Sequence, residues 1–157
     1  RFRSLLQTFR WNLCLRRPLA AATGGVMAAA NPDLNDRNPV VILIVEDEAL
    51  IRFDMADTLR VQPGVSVVEA ATADEAWIYL LDHGPVDLVF TDHRMPGQMT
   101  GGQLAAKVLA KFPDTKVMVT SAHFDGHEWK GPVLRKPYDP TSIAGQLVRM
   151  ARQANAS

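Results

Sequence analysis

From Val40 onward, five short apolar runs alternate with stretches whose apolar residues recur at helical spacing, and no hairpin turn joins one run to the next. Strands connected in that way pair in parallel, through right-handed crossovers that place helices on both faces of the sheet. The fold class is therefore α/β, a small doubly wound domain. The expected strands are 40–45, 65–69, 86–90, 116–120 and 132–135. Between them, Ile51, Met55 and Leu59 mark a helix that stops before Pro63-Gly64, and Thr72 with Glu75 has capping-box spacing ahead of Ala76, Trp77, Leu80 and Leu81. Thr100 can cap a helix over 101–112 with Leu104, Val108 and Phe112 on one face. Asp139-Pro140 opens a last one carrying Ile143, Leu147, Met150 and Ala151.

The central run, VDLVFTDHRMPG over 86–97, organises the chemistry. Its apolar part reads as a strand buried on both faces, Asp92 ends it, and Pro96-Gly97 cannot continue a ladder. Asp92 thus stands at the carboxyl edge of a central strand, where open α/β sheets bind ligands. The same edge collects Glu46 and Asp47 after the first strand, Ser121 after the fourth and Lys136 after the fifth. Three carboxylates brought together repel unless a cation joins them, and hard oxygen donors without a complete protein cage favour Mg²⁺. A lysine and a hydroxyl beside them suit the oxygens of a phosphoryl group. Each residue alone has a plainer reading as a turn residue, a helix start or a surface charge. Their joint placement on successive strands of one parallel sheet reverses that balance.

Glu46-Asp47 after a buried strand, Asp92 with Met95-Pro96-Gly97, Ser121-Ala122 and Lys136-Pro137 together resemble the receiver domain of two-component response regulators, over about 40–154. The resemblance implies a flavodoxin-like five-stranded sheet in the order 2-1-3-4-5. It implies Asp92 as phospho-acceptor, Asp47 as a direct Mg²⁺ ligand, Glu46 as a ligand acting mainly through water, and the backbone carbonyl of Arg94 as a further ligand. Ser121 and Lys136 would hold the phosphoryl oxygens, the Lys136-Pro137 bond would be cis, and Arg94 and His123 would flank the acceptor and modulate hydrolysis. The implied partners are a histidine kinase or a histidine phosphotransfer protein, and a downstream protein target.

Two departures from the family bear on output. Ala122 to Pro132 leaves eleven residues for the fourth crossover, with Gly126, Gly131 and Pro132 opposing helix, so a single turn or an irregular loop is expected there. Val133 stands where the family often places an aromatic that turns inward on phosphorylation, which puts the usual output and dimer surface in doubt.

Residues 1–38 differ from the rest. Arg1, Arg3, Arg10, Arg16 and Arg17 face no acid before Asp33, so the zero net charge hides a basic head and a remainder with 12 basic against 17 acidic residues. That acidic remainder is a poor match for nucleic-acid phosphates. The head superficially imitates an export signal, but its Ala-rich part is barely hydrophobic, and the first methionine is Met27. The expectation is that 1–26 is upstream or non-native sequence and that the receiver unit spans 39–155. Cys14 is the only cysteine, which is compatible with a reducing, cytoplasmic setting. No apolar run approaches the ~18 residues that would span a membrane.

The lack of residues after the last helix suggests a stand-alone receiver, and a receiver cut from a hybrid histidine kinase would look similar. The rival enzyme reading, a haloacid-dehalogenase-like phosphatase, needs a second Asp two residues after the first, where Arg94 stands. A degenerate receiver that works unphosphorylated is opposed by the intact acceptor set. His83, His93, His123 and His127 lack metal-ligand spacing and read as loop residues.

Overall fold

The computed structural model describes residues 39–123 and 128–154. The basic head and the expected start at Met27 lie outside the described residues. Five strands, β1 (Val40–Val45), β2 (Val65–Ala70), β3 (Leu88–Asp92), β4 (Lys116–Ser121) and β5 (Val133–Arg135), alternate with α1 (Ala49–Arg60), α2 (Ala73–His83), α3 (Gly101–Lys111) and α4 (Pro140–Ala154). Every pairing is parallel and the order is β2-β1-β3-β4-β5, the flavodoxin-like arrangement. The strands end within two residues of expectation. Ala70 and Ser121 extend their ladders, whereas Pro132 stays outside β5 and accepts from the Val119 amide at 3.2 Å.

Alternation along each strand divides the core in two. Ile42, Ile44, Leu88, Phe90 and Met118 face α1 and α4, which contribute Met55, Leu59, Ile143 and Leu147. Leu43, Val45, Val89, Val117 and Val119 face α2 and α3, which contribute Ala76, Leu80, Leu104 and Val108. Leu81, expected on the inward stripe of α2, is half exposed. The buried positions are Ala73, Ala76 and Leu80, a face one step round the helix that brings small residues against the sheet.

The helix starts carry their caps. Thr72 accepts from the Glu75 amide at 3.1 Å, while the Glu75 carboxylate reaches back to the Ala71 amide, one residue short of a reciprocal box. Thr100 and Gln103 form both arms of the box at α3. At α4 the Asp139 carboxylate accepts from the Thr141 and Ser142 amides.

Among the described residues of the fourth crossover, 122–123 and 128–132, none is helical. Trp129 covers the sheet there. It is buried in the layer with Leu104 and Val108, and its indole N–H donates to the Pro132 carbonyl at 2.9 Å. Gly131 permits this fold-back, since a Cβ there would lie 2.1 Å from the indole ring.

Candidate phosphoryl-acceptor site

The site is built by strand parity. Glu46 follows Ile42 and Ile44, Asp92 follows Leu88 and Phe90, and Lys136 follows Leu134, so all three belong to the sheet face that α1 and α4 cover. At the carboxyl edge the helices no longer reach across, and the polar groups meet each other. Glu46, Asp47 and Asp92 each offer a carboxylate oxygen within 4.8 Å of the others. The Lys136 ammonium donates to Glu46 Oε2 at 2.7 Å and lies 3.1 Å from Asp92 Oδ1.

The electrostatics leave negative charge in excess. Burial pushes the Glu46 carboxyl up, and the Asp92 charge adds to this, although the Lys136 hydrogen bond and charge work against it. Burial works against the Lys136 ammonium, but the Glu46 hydrogen bond and the Asp92 charge outweigh it and hold its pKa above the usual lysine value. Glu46 Oε1 is buried and has no hydrogen-bond partner in the described residues. An orphaned carboxylate oxygen beside two more carboxylates fits a hard divalent cation that keeps some of its waters.

Ser121 is buried as the last residue of β4, and its carbonyl accepts from the Lys136 amide at 3.0 Å. By parity its side chain belongs with Val117 and Val119, not with Asp92. Arg94 and His123 are exposed on the loops after β3 and β4. Val133 is half-buried in β5, and the Lys136-Pro137 bond is cis.

Several contacts escaped the sequence reading. Arg52, in the first turns of α1, donates to the Glu46 carbonyl at 2.6 Å and lies 3.5 Å from Glu69 of β2, so it ties the acidic loop to the edge of the sheet. Thr120 donates its hydroxyl to Asp92 Oδ1 at 3.3 Å. Gly101 begins α3 so close to β3 that a Cβ would lie 1.7 Å from the Asp92 carbonyl oxygen. Glu128 accepts from the Thr100 hydroxyl at 2.7 Å and lies 3.4 Å from the ring of His93, which directly follows Asp92 and is buried. Only Thr120 carried a sequence signal, as a hydroxyl directly after the apolar run Val117–Val119.

Comparison with known proteins gives a consistent result. The family model described as response regulator receiver domain matches residues 42–130. Response regulator Rre1 of Synechocystis sp. is 34% identical over 130 residues, covering 76% of this chain and 55% of that protein. The oxygen regulatory protein NreC of Staphylococcus carnosus is 33% identical over 95 residues, covering 60% of this chain and 43% of that protein. The chain thus spans about half the length of these curated relatives. Among solved structures, the receiver domain of the hybrid histidine kinase CckA superposes with a TM-score of 0.59 at 33% identity, over 71% of this chain and 98% of that one.

Proposed function

The chain belongs to the response regulator receiver domain family of two-component signalling, and on that premise we propose that Asp92 accepts a phosphoryl group from a histidine kinase or a histidine phosphotransfer protein. The observation that carries the reading is the Lys136 ammonium placed between Glu46 and Asp92, with the Asp47 carboxylate beside them. Glu46, Asp47, Asp92 and the backbone carbonyl of Arg94 would hold Mg²⁺. When bound, that ion neutralises charge on the transferred phosphoryl.

The chain's own residues do the positioning. A carboxylate oxygen of Asp92 forms a bond to phosphorus as the bond from phosphorus to the donor breaks, and the donor leaves with the electron pair. Lys136 would leave Glu46, one of the carboxylates that would hold the cation, to meet the phosphoryl oxygens, and the Ser121 hydroxyl, which has the other parity at the very end of β4, would reach them by turning over the strand's end. Arg94 and His123 stand exposed on the two loops that border Asp92, where their side chains tune the entry of water. The product is a phospho-aspartate that signals by protein contact or by onward transfer in the cytoplasm, and no helix among the described residues is long and apolar enough to cross a membrane. A second reading, a receiver belonging to a hybrid histidine kinase, is supported by the likeness to the CckA receiver.

Incubation with Mg²⁺ and a small acyl phosphate tests the reading. We expect an acid-stable, base-labile phosphoryl adduct by intact mass, absent in Asp92→Asn and needing far more Mg²⁺ in Asp47→Ala. Undiminished labelling of Asp92→Asn would refute the acceptor, and unchanged Mg²⁺ dependence in Asp47→Ala would refute the metal ligand.

A further inference from the structure

β3 and β4 pair in parallel with Asp92 opposite Thr120. Residues opposite each other in register share a sheet face, so the side chain of Thr120 stands on the face that carries Asp92, Glu46 and Lys136. Ser121, one residue on, has the other parity. The consequence is that the hydroxyl in contact with the acceptor is that of Thr120. It is 1% exposed, and it donates to Asp92 Oδ1 at 3.3 Å. Lys136 lies 3.1 Å from that same oxygen. Both donors converge on Oδ1.

A carboxylate at the end of a strand rotates about its last side-chain bond, a broad and nearly two-fold torsion. Two donors on one oxygen remove that freedom and make the oxygens unequal. Lys136 cannot do this alone, because it is shared with Glu46 and, in the reading above, turns to the incoming phosphoryl group. Thr120 has no such competing duty. Its β-branched side chain is stiff about χ1 in a strand, and the bond it makes persists when the lysine leaves.

We propose that Thr120 is a positioning residue for the phosphoryl-acceptor reaction: it holds Asp92 by Oδ1 and so presents Oδ2 to the donor. This rests on the assignment of Asp92 as acceptor. In the step itself, Oδ2 bonds to phosphorus while the bond from phosphorus to the leaving oxygen of an acyl phosphate breaks. The carboxylate product departs with that electron pair, and no proton needs to move. Thr120 acts before and during the step by limiting the carboxylate to the attacking orientation.

The test uses the full chain with acetyl phosphate and Mg²⁺, comparing Thr120→Val, Thr120→Ser and Asp92→Asn. Valine keeps the branched shape without the hydroxyl, and serine keeps the hydroxyl. The expected result for Thr120→Val is a labelling rate at saturating donor and Mg²⁺ lower by about tenfold, the scale of one lost hydrogen bond. The thermal midpoint should not fall, and the midpoint of a Mg²⁺ titration followed by amide chemical shifts in the absence of donor should stay within twofold. Thr120→Ser should recover most of the rate. Labelling of Thr120→Val at the wild-type rate, with Asp92→Asn unlabelled, would overturn the proposal and leave the acceptor assignment standing. A serine variant as slow as the valine one at an unchanged melting midpoint would also overturn it, by showing that the methyl group matters and the hydroxyl does not. Wild-type protein that takes no label on Asp92 would refute the acceptor assignment, and Thr120's role with it.

Discussion

At the scale of single residues, the site combines burial with an excess of negative charge, and its neighbours feel both. Tyr138 lies under it, with its ring edge-on to Phe90 at 5.8 Å between centroids. Burial pushes its hydroxyl up to about 12 from 10.0, and the Glu46 and Asp92 charges add to the shift. A folded-state value raised above the unfolded one contributes stability that is fully present below the unfolded value and is lost as pH rises through the folded one. Between pH 10 and about 12 the protein should therefore lose stability faster than Tyr138→Phe does, because phenylalanine has no proton to give up. Thermal melts across that window check it, and parallel curves for the two proteins would show that the phenol does not couple to folding. Lys136, also raised, loses its contribution in the same direction, but it does so equally in both proteins.

At the scale of elements, the fourth crossover is where this chain departs most from the alternation that precedes it. Among its described residues, 122–123 and 128–132, none is helical, and Trp129 packs on the α2/α3 side of the sheet, held by its bond to the Pro132 carbonyl and in one core layer with Leu104, Val108 and Val119. Next to it, Glu128 fastens the crossover to Thr100 at the start of α3. Trp129→Ala removes the largest apolar group of that segment and leaves a cavity that short, glycine-flanked chain cannot fill by repacking. The expected cost is roughly 3–5 kcal/mol, a large share of the ~5–15 kcal/mol that a domain has in total. Urea unfolding measures it, and a loss below about 1 kcal/mol would show that the indole is not part of the core.

At the scale of the whole molecule, the same crossover bears on how a signal leaves the site. Val133 puts no aromatic ring at that place in β5, so no ring there can turn to reshape the outer face of β5 and α4. The response should instead stay near Ser121 and in the crossover, where Glu128 links it to His93 and to the N-cap of α3. Hydrogen exchange with and without beryllofluoride as a phosphoryl mimic should show changes in the β4–β5 crossover and the β3–α3 loop, with β5 and α4 unchanged and the mass by light scattering constant. A mimic-dependent dimer protected over Val133–Arg135 and Pro140–Ala154 would overturn this.

Local chemistry was enough to make much of this legible in the sequence. Apolar alternation and helical spacing are properties of neighbouring residues, so the element order, the parallel sheet and the residues at each strand's carboxyl end could be read from them, as Glu46, Asp47, Asp92, Ser121 and Lys136 were. What needed the folded chain were contacts between residues far apart in sequence, which depend on register and on which side chain fills a given space. The pairing of Asp92 with Thr120 chose which hydroxyl meets the Asp92 carboxylate. The approach of α3 to β3 left room only for glycine at 101. Arg52 reached back to the Glu46 carbonyl because α1 turns over the end of β1. Trp129, in a loop with no periodicity to announce it, became core because the sheet beside it would otherwise stand open to water.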